Sequence, residues 1–325
     1  MLRDGKHPIV KSDVVPTAFT RLVGCRYPIQ QAAMGVASTA DLVVAVAEAG
    51  ALGMLGMPMT PAEEFSRTLE DVRNRTSAPF GVNFLVPFLD PGVVTIAATA
   101  ARVVEFFYGD PDGDLVTRAH REGALACWQV GSVEEARAAA GAGCDLVVAQ
   151  GTEAGGHIRG QTGLLPLLDG VLSSIEVPVI AAGGIGSARS VKAVIAAGAS
   201  AARLGTRFLA AHEADVHPEY VDCLVASQED DTVLTESFSV GWPDAPHRVL
   251  RSCLAAAGRL PDGSVGETET EEGRRYPIPR FAALPPSRST SGNVRAMALY
   301  AGQSVAHVRG RSSAADIVDE LVAEL

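Results

Sequence analysis

From residue 28 to residue 208, short apolar runs alternate with longer stretches whose apolar residues fall on one helical face. Residues 28–33 (PIQQAA) read as a first strand. Ser38 or Thr39 then caps a helix that runs to Glu48, with Leu42, Val43, Val46 and Ala47 on one side and Gly50 as its stop. Residues 51–57 read as a second strand, and Thr60-Pro61-Ala62-Glu63 opens a second helix with proline in the first turn and glutamate at the capping-box position. The alternation predicts further strands at 79–86, 103–108, 124–130, 146–149, 177–182 and 201–204. The helices expected between them are at 92–101, 111–122, 132–142, 164–175 and 187–197. The runs are too short for buried helices and apolar throughout, as strands covered on both faces must be.

Strand and helical segment alternating in this way, with no gap long enough for a domain linker, predict a (β/α)8 TIM barrel over residues 21–211. An open doubly wound sheet is the alternative. Residues 1–20 read as an N-terminal leader and residues 212–325 as a helical and loop extension completing the same domain. Within that extension, 261–293 is rich in Gly, Pro, Ser and charge and reads as a surface excursion. Two later segments, VRAMALYAG and SAADIVDELVAEL, read as helical.

Composition narrows the function. The chain is 47% hydrophobic and 20% charged, which suits a large globular core. A net charge of −11 argues against nucleic acid and anionic membranes, both of which need a basic face. The five cysteines form no CxxC pair and are odd in number, which points to a reducing, cytoplasmic setting, and no apolar run reaches spanning length. The histidines show no metal-binding spacing, so a protein-bound metal is not expected.

The chemistry concentrates at predicted strand ends. Strand six runs into QGTEAGGH, where Gly151, Gly155 and Gly156 permit close backbone approach and Glu153 and His157 stand between and beside them. A lone loop histidine is more often inert, but one at a barrel strand end among glycines and a carboxylate is a candidate catalytic group. Strand seven ends in Gly183 and Gly184, and strand eight in Arg203-Leu204-Gly205-Thr206. Glycine amides beside a helix N-terminus attract a dianion, and the ends of strands seven and eight are where barrels commonly hold phosphate. A dinucleotide fingerprint is excluded, because the third glycine it requires is Arg189. Met34, Asn83, Gln129 and Gln150 sit in or at the ends of other strands, and such amides suit the alternating edge of a flat heterocycle. Phe84, Phe88, Tyr108, Trp242 and Tyr300 are candidates for a substrate wall, although plain packing accounts for aromatics equally well.

The combination of PIQQAAM, FGVNF, VVAQGTEAGGH, AAGGI, LGTRF and LYAGQS, in this order over residues 18–310, resembles the nitronate monooxygenase family, formerly called 2-nitropropane dioxygenases. That family is related to the flavin-dependent enoyl-acyl-carrier-protein reductases. The resemblance implies a non-covalent FMN touched by Met34, Asn83, Gln150 and Gly155, with its phosphate held by Gly183, Gly184, Gly205 and Thr206. It further implies His157 as the active-site histidine and Gln303 and Ser304, with Tyr300, reaching in from the C-terminal segment. The implied reaction converts an alkyl nitronate or nitroalkane and O2 to a carbonyl compound and nitrite. The alternative is reduction of an activated double bond, with NADH or NADPH as reductant. One departure is Ala33, where the family often has proline.

Overall fold

The computed structural model describes residues 15–56, 61–270 and 273–325. Met57, Thr60 and most of the expected leader lie outside them. The eight apolar runs form eight parallel strands: β1 Ile29–Gln31, β2 Gly53–Gly56, β3 Phe80–Leu85, β4 Val103–Phe107, β5 Leu125–Val130, β6 Leu146–Gln150, β7 Val179–Ala182 and β8 Ala201–Leu204. Each pairs with its neighbour in sequence, and β8 pairs with β1. A parallel bridge between Gln30 and Leu52, with the Leu52 N–H donating to the Ile29 carbonyl at 2.9 Å, joins β1 to β2 and brings the sheet round into a barrel.

Helices α2 Ala40–Glu48, α3 Ala62–Arg75, α4 Pro91–Ala100, α5 Gly113–Arg121, α6 Val133–Gly141, α7 Leu164–Leu172 and α8 Ala188–Ala196 fill the connections. Their starts are set locally: Thr39, Asp90, Asp112, Ser132 and Ser187 each accept a first-turn amide with the side chain. Alternation along each strand divides the core. In β6, Leu146 and Val148 face the barrel interior, whereas Val147 and Ala149 pack beneath helices. The interior is plugged by Phe19 and Val23 of α1 Ala18–Val23, so residues 18–20 of the span expected as leader are part of the barrel.

The chain beyond β8 departs further from expectation. A helix α9 Pro218–Val225 and a hairpin of β9 Thr232–Thr235 with β10 His247–Leu250 lead to α10 Arg251–Gly258. The surface excursion expected over 261–293 contains an antiparallel sheet of β11 Ser264–Glu269, β12 Arg275–Pro279 and β13 Thr290–Gly292. Val265 and Ile278 are the large apolar side chains that its strands bury, so the alternation that marks a strand is faint. In VRAMALYAG only Val294–Ala296 makes a single helical turn. Ala296 to Leu299 are buried at every position, which offers no polar face to a helix. The second expected helix forms as α11 Ala314–Leu321 and packs against both α2 and α8, supplying the eighth helix of the ring. No helix among the described residues is long and apolar enough to cross a membrane.

Candidate active site

A cavity of about 380 Å3 opens at the carboxyl ends of the strands, beneath segments from beyond β8. Its walls include Met34, Asn83, Gln129, Gln150, Gly155, His157, Gly183, Gly184, Arg203, Leu204, Gly205, Thr206, Tyr300 and Ser304. Strand ends scattered over the sequence thus converge on one volume, as barrel topology requires. Gln303 does not line it. Its backbone N–H donates to the Glu153 carbonyl at 2.9 Å, and so ties the C-terminal segment to the loop after β6.

The floor is polar and was not legible as a site. Glu105, fully buried in β4, accepts from Arg203 Nη1 at 2.6 Å on both oxygens and from Asn83 Nδ2 at 2.8 Å. Gln30 Nε2 donates to it at 3.3 Å. Two of these donors, Arg203 and Asn83, also face the cavity. A lone carboxylate within VVEFF was the available signal, since a buried carboxylate must find a partner. Burial, followed by the Glu105 charge, pushes the Cys127 thiol well above its ordinary range.

One wall is built of backbone. Gly183 and Gly184 adopt φ of +118° and +68°, conformations that suit glycine. The N–H groups of Gly184, Gly205 and Thr206 make no hydrogen bond within the described residues. The first amide groups of α8 behave differently, because Gly186 N–H and Ser187 N–H donate to Ser190 Oγ at 3.1 and 3.0 Å. The free donors are therefore the glycine turns themselves. Thr206 Oγ1 accepts from Gly302 N–H at 3.0 Å and keeps its own proton to donate. Near Ala33, the Met34 N–H donates to Ser38 Oγ at 2.8 Å, so a serine side chain ties down this turn.

The opposite wall is the loop after β6. A methyl on Gly155 would lie 2.5 Å from the Gly302 nitrogen, which explains glycine there. Glu153 is a structural carboxylate: both of its oxygens accept from Leu164 N–H at 2.9 Å, at the start of α7. His157 forms a two-residue strand with Gly156 that pairs with His247 and Arg248 of β10, so the cap fixes the loop. Gln150 Nε2 donates to the His157 carbonyl at 3.0 Å, leaving its Oε1 buried and unpartnered.

The His157 ring lies 3.8 Å from Trp242, tilted by 33°, with His247 at 5.2 Å and Tyr108 at 6.0 Å. Tyr300 Oη donates to the Ala283 carbonyl at 2.9 Å and lies 3.4 Å from His157 Nε2. His157 Nδ1 is buried without a partner. Burial, reinforced by His247, pulls the His157 pKa down to about 3, so the ring is neutral at physiological pH. Of the aromatic candidates, Phe88, Trp242 and Tyr300 line the cavity. Phe84 instead packs on Phe65 and Phe106 in the outer core, and Tyr108 supports Trp242 at 4.8 Å. His247, Val240 and Leu284 were missed because the cap carries no periodic pattern to place them.

Comparison with known proteins fits this arrangement. A family model described as nitronate monooxygenase matches residues 17–92 and 89–324. A (3aS,4S,5R,7aS)-5-hydroxy-7a-methyl-1-oxo-octahydro-1H-indene-4-carboxyl-CoA dehydrogenase from Mycobacterium tuberculosis is 33% identical over 252 residues, covering 76% of this chain and 69% of that protein. Among solved structures, FabK from Thermotoga maritima superposes with a TM-score of 0.77 at 28% identity, over 95% of this chain and 96% of FabK. Nitroalkane oxidase from Streptomyces ansochromogenes superposes with a TM-score of 0.75 at 32% identity, over 95% of this chain and 98% of that one.

Proposed function

The chain belongs to the nitronate monooxygenase family and is an oxidoreductase, and from its geometry we propose that it is FMN-dependent and oxidises alkyl nitronates with O2 to a carbonyl compound and nitrite. The observation that carries this reading is the convergence of unpartnered groups on one cavity. Free N–H groups at Gly184, Gly205 and Thr206, with the Thr206 hydroxyl, suit a phosphate dianion. The unpartnered Gln150 Oε1 suits a ring N–H, and Arg203 and Asn83 suit ring carbonyl oxygens. These residues fit FMN as an isoalloxazine ring with a phosphate tail. When bound, the flavin supplies the redox chemistry by accepting electrons and passing them to oxygen.

The chain's own contribution is to hold and orient. A neutral His157 presents a hydrogen-bonding edge in a site walled by Trp242 and Tyr300. Its depressed pKa bears on which substrate form it serves. Taking the α-proton of a neutral nitroalkane would create an imidazolium where burial opposes one, a penalty of several kcal/mol from the size of the shift. Hydrogen bonding to a nitronate that is already anionic carries no such penalty, so we assign the nitronate as the preferred substrate. The five cysteines are all unpaired and buried, which supports a cytoplasmic assignment.

A second reading, reduction of an activated double bond on a thioester by NADH or NADPH, draws support from the CoA-ester dehydrogenase relative. Against it, Arg203 is the one cationic side chain among the described residues lining the cavity, and Glu105 engages it. The lining therefore gives CoA phosphates no counter-charge. The test is to record the visible spectrum and then mix the protein anaerobically with ethyl nitronate, NADH or NADPH. Flavin bands bleached by the nitronate alone support the first reading, and rapid bleaching by a pyridine nucleotide supports the second. A colourless protein that takes up no FMN overturns both.

A further inference from the structure

Three large apolar side chains that stand exposed gather on the rim of the cavity: Val36 at 42%, Val240 at 47% and Leu284 at 38% exposure. They come from distant segments, the turn after β1, the stretch between β9 and β10, and the stretch between β12 and β13. Single exposed hydrophobic residues are ordinary, but several converging on the mouth of a cavity mark a surface that a ligand covers. Phe88 and Trp242, in edge contact at 5.1 Å, continue this surface inward.

The charges at the mouth are equally one-sided. Asp215 lies in the wall, its carboxylate accepting from the Arg288 backbone N–H at 2.9 Å. The single cation among the described lining residues, Arg203, is on the floor with Glu105. A substrate whose far end is anionic would meet a carboxylate there and no lining cation. An uncharged apolar tail would cover Val36, Val240 and Leu284.

We propose that this rim is a tail subsite which selects substrates carrying an alkyl chain or apolar ring and rejects those with a second, terminal negative charge. The inference deepens the proposed function and depends on it only for the identity of the reacting head group. Covering apolar area at the rim strengthens binding by about fourfold for each methylene until the rim is filled.

The test separates tail from head. The purified protein is titrated with n-octanol, n-butanol and octanoate while its tryptophan fluorescence is followed. Trp242→Phe assigns the signal, because the other tryptophan, Trp128, is fully buried. The expected result is saturable octanol binding at least tenfold tighter than that of butanol or octanoate, weakened roughly fivefold by Val240→Ser or Leu284→Ser at exposed positions where folding is not at stake. Octanoate binding as tightly as octanol, or no dependence on chain length, overturns the proposal. The kcat/KM of straight-chain nitronates from two to eight carbons supplies the second arm. Octanol selectivity without nitronate turnover would leave the tail subsite standing and remove the proposed head group. Turnover that ignores chain length would do the reverse.

Discussion

The floor and the far wall of the cavity are both polar, the first buried and the second half-buried, and they differ in how their polar groups are satisfied. On the floor, Glu105 takes hydrogen bonds from Arg203, Asn83 and Gln30, and the atom left over is Gln30 Oε1. On the wall after β6, His157 Nδ1 and Gln150 Oε1 have no partner, and the glycine turns opposite leave their amides free. Buried polar groups that the chain satisfies fix geometry, whereas those it leaves open mark what must come from outside. The floor accordingly orients Arg203 and Asn83, and on the proposed function the wall and glycine turns are where the cofactor and substrate bind.

The strongest way to break this contrast is at the floor. Glu105→Ala leaves the Arg203 guanidinium buried without its counter-charge, and is expected to cost ~3–5 kcal/mol in urea unfolding. A variant that unfolds at the wild-type midpoint would show that the pair does not hold the floor. His157→Asn should leave unfolding at pH 7 nearly unchanged and retain FMN, while nitronate turnover falls about a hundredfold as the ring's hydrogen bond to the anion is lost. Equal turnover would take His157 out of the mechanism.

The pH dependence of stability sharpens the same point with a smaller effect. His157 has a folded pKa lowered from 6.5 to about 3, so the unfolded chain binds the proton first as pH falls. The stability tied to the neutral ring is complete above pH 6.5 and is lost as pH falls toward 3, at up to about 1.4 kcal/mol per pH unit. Urea midpoints between pH 7 and 5 should fall less steeply in His157→Asn than in the wild type. Parallel slopes would mean that His157 is not held neutral by burial. The smallest effect is expected from Tyr300→Phe, which removes the hydroxyl contacts to Ala283 and His157 and should lower stability by ~1 kcal/mol with turnover reduced less than tenfold.

The barrel was legible because parallel strands covered on both faces read as apolar runs, and because serine, threonine and aspartate caps mark helix starts. The glycine turns at Gly183, Gly184 and Gly205 were legible as strand-end turns, and all three line the cavity. Glu105 was not, because a single carboxylate in an apolar strand reveals a need for a partner without naming Arg203, 98 residues away. His247 and the rim residues Val240 and Leu284 were hidden by the cap, whose β11–β13 sheet rests on backbone pairing and two large buried apolar side chains. Gln303 was expected in the site by motif, and its backbone instead secures the wall.

The placement of α11 has a consequence in time. The ring is closed by α11, which follows the whole cap in sequence, and that helix meets both the first and the last α-helix of the β/α series. Every strand and every cavity residue has therefore left the ribosome before the seam between the two ends can be covered. Until then the newly made protein carries a bare apolar strip along that seam, and aggregation has its opening there.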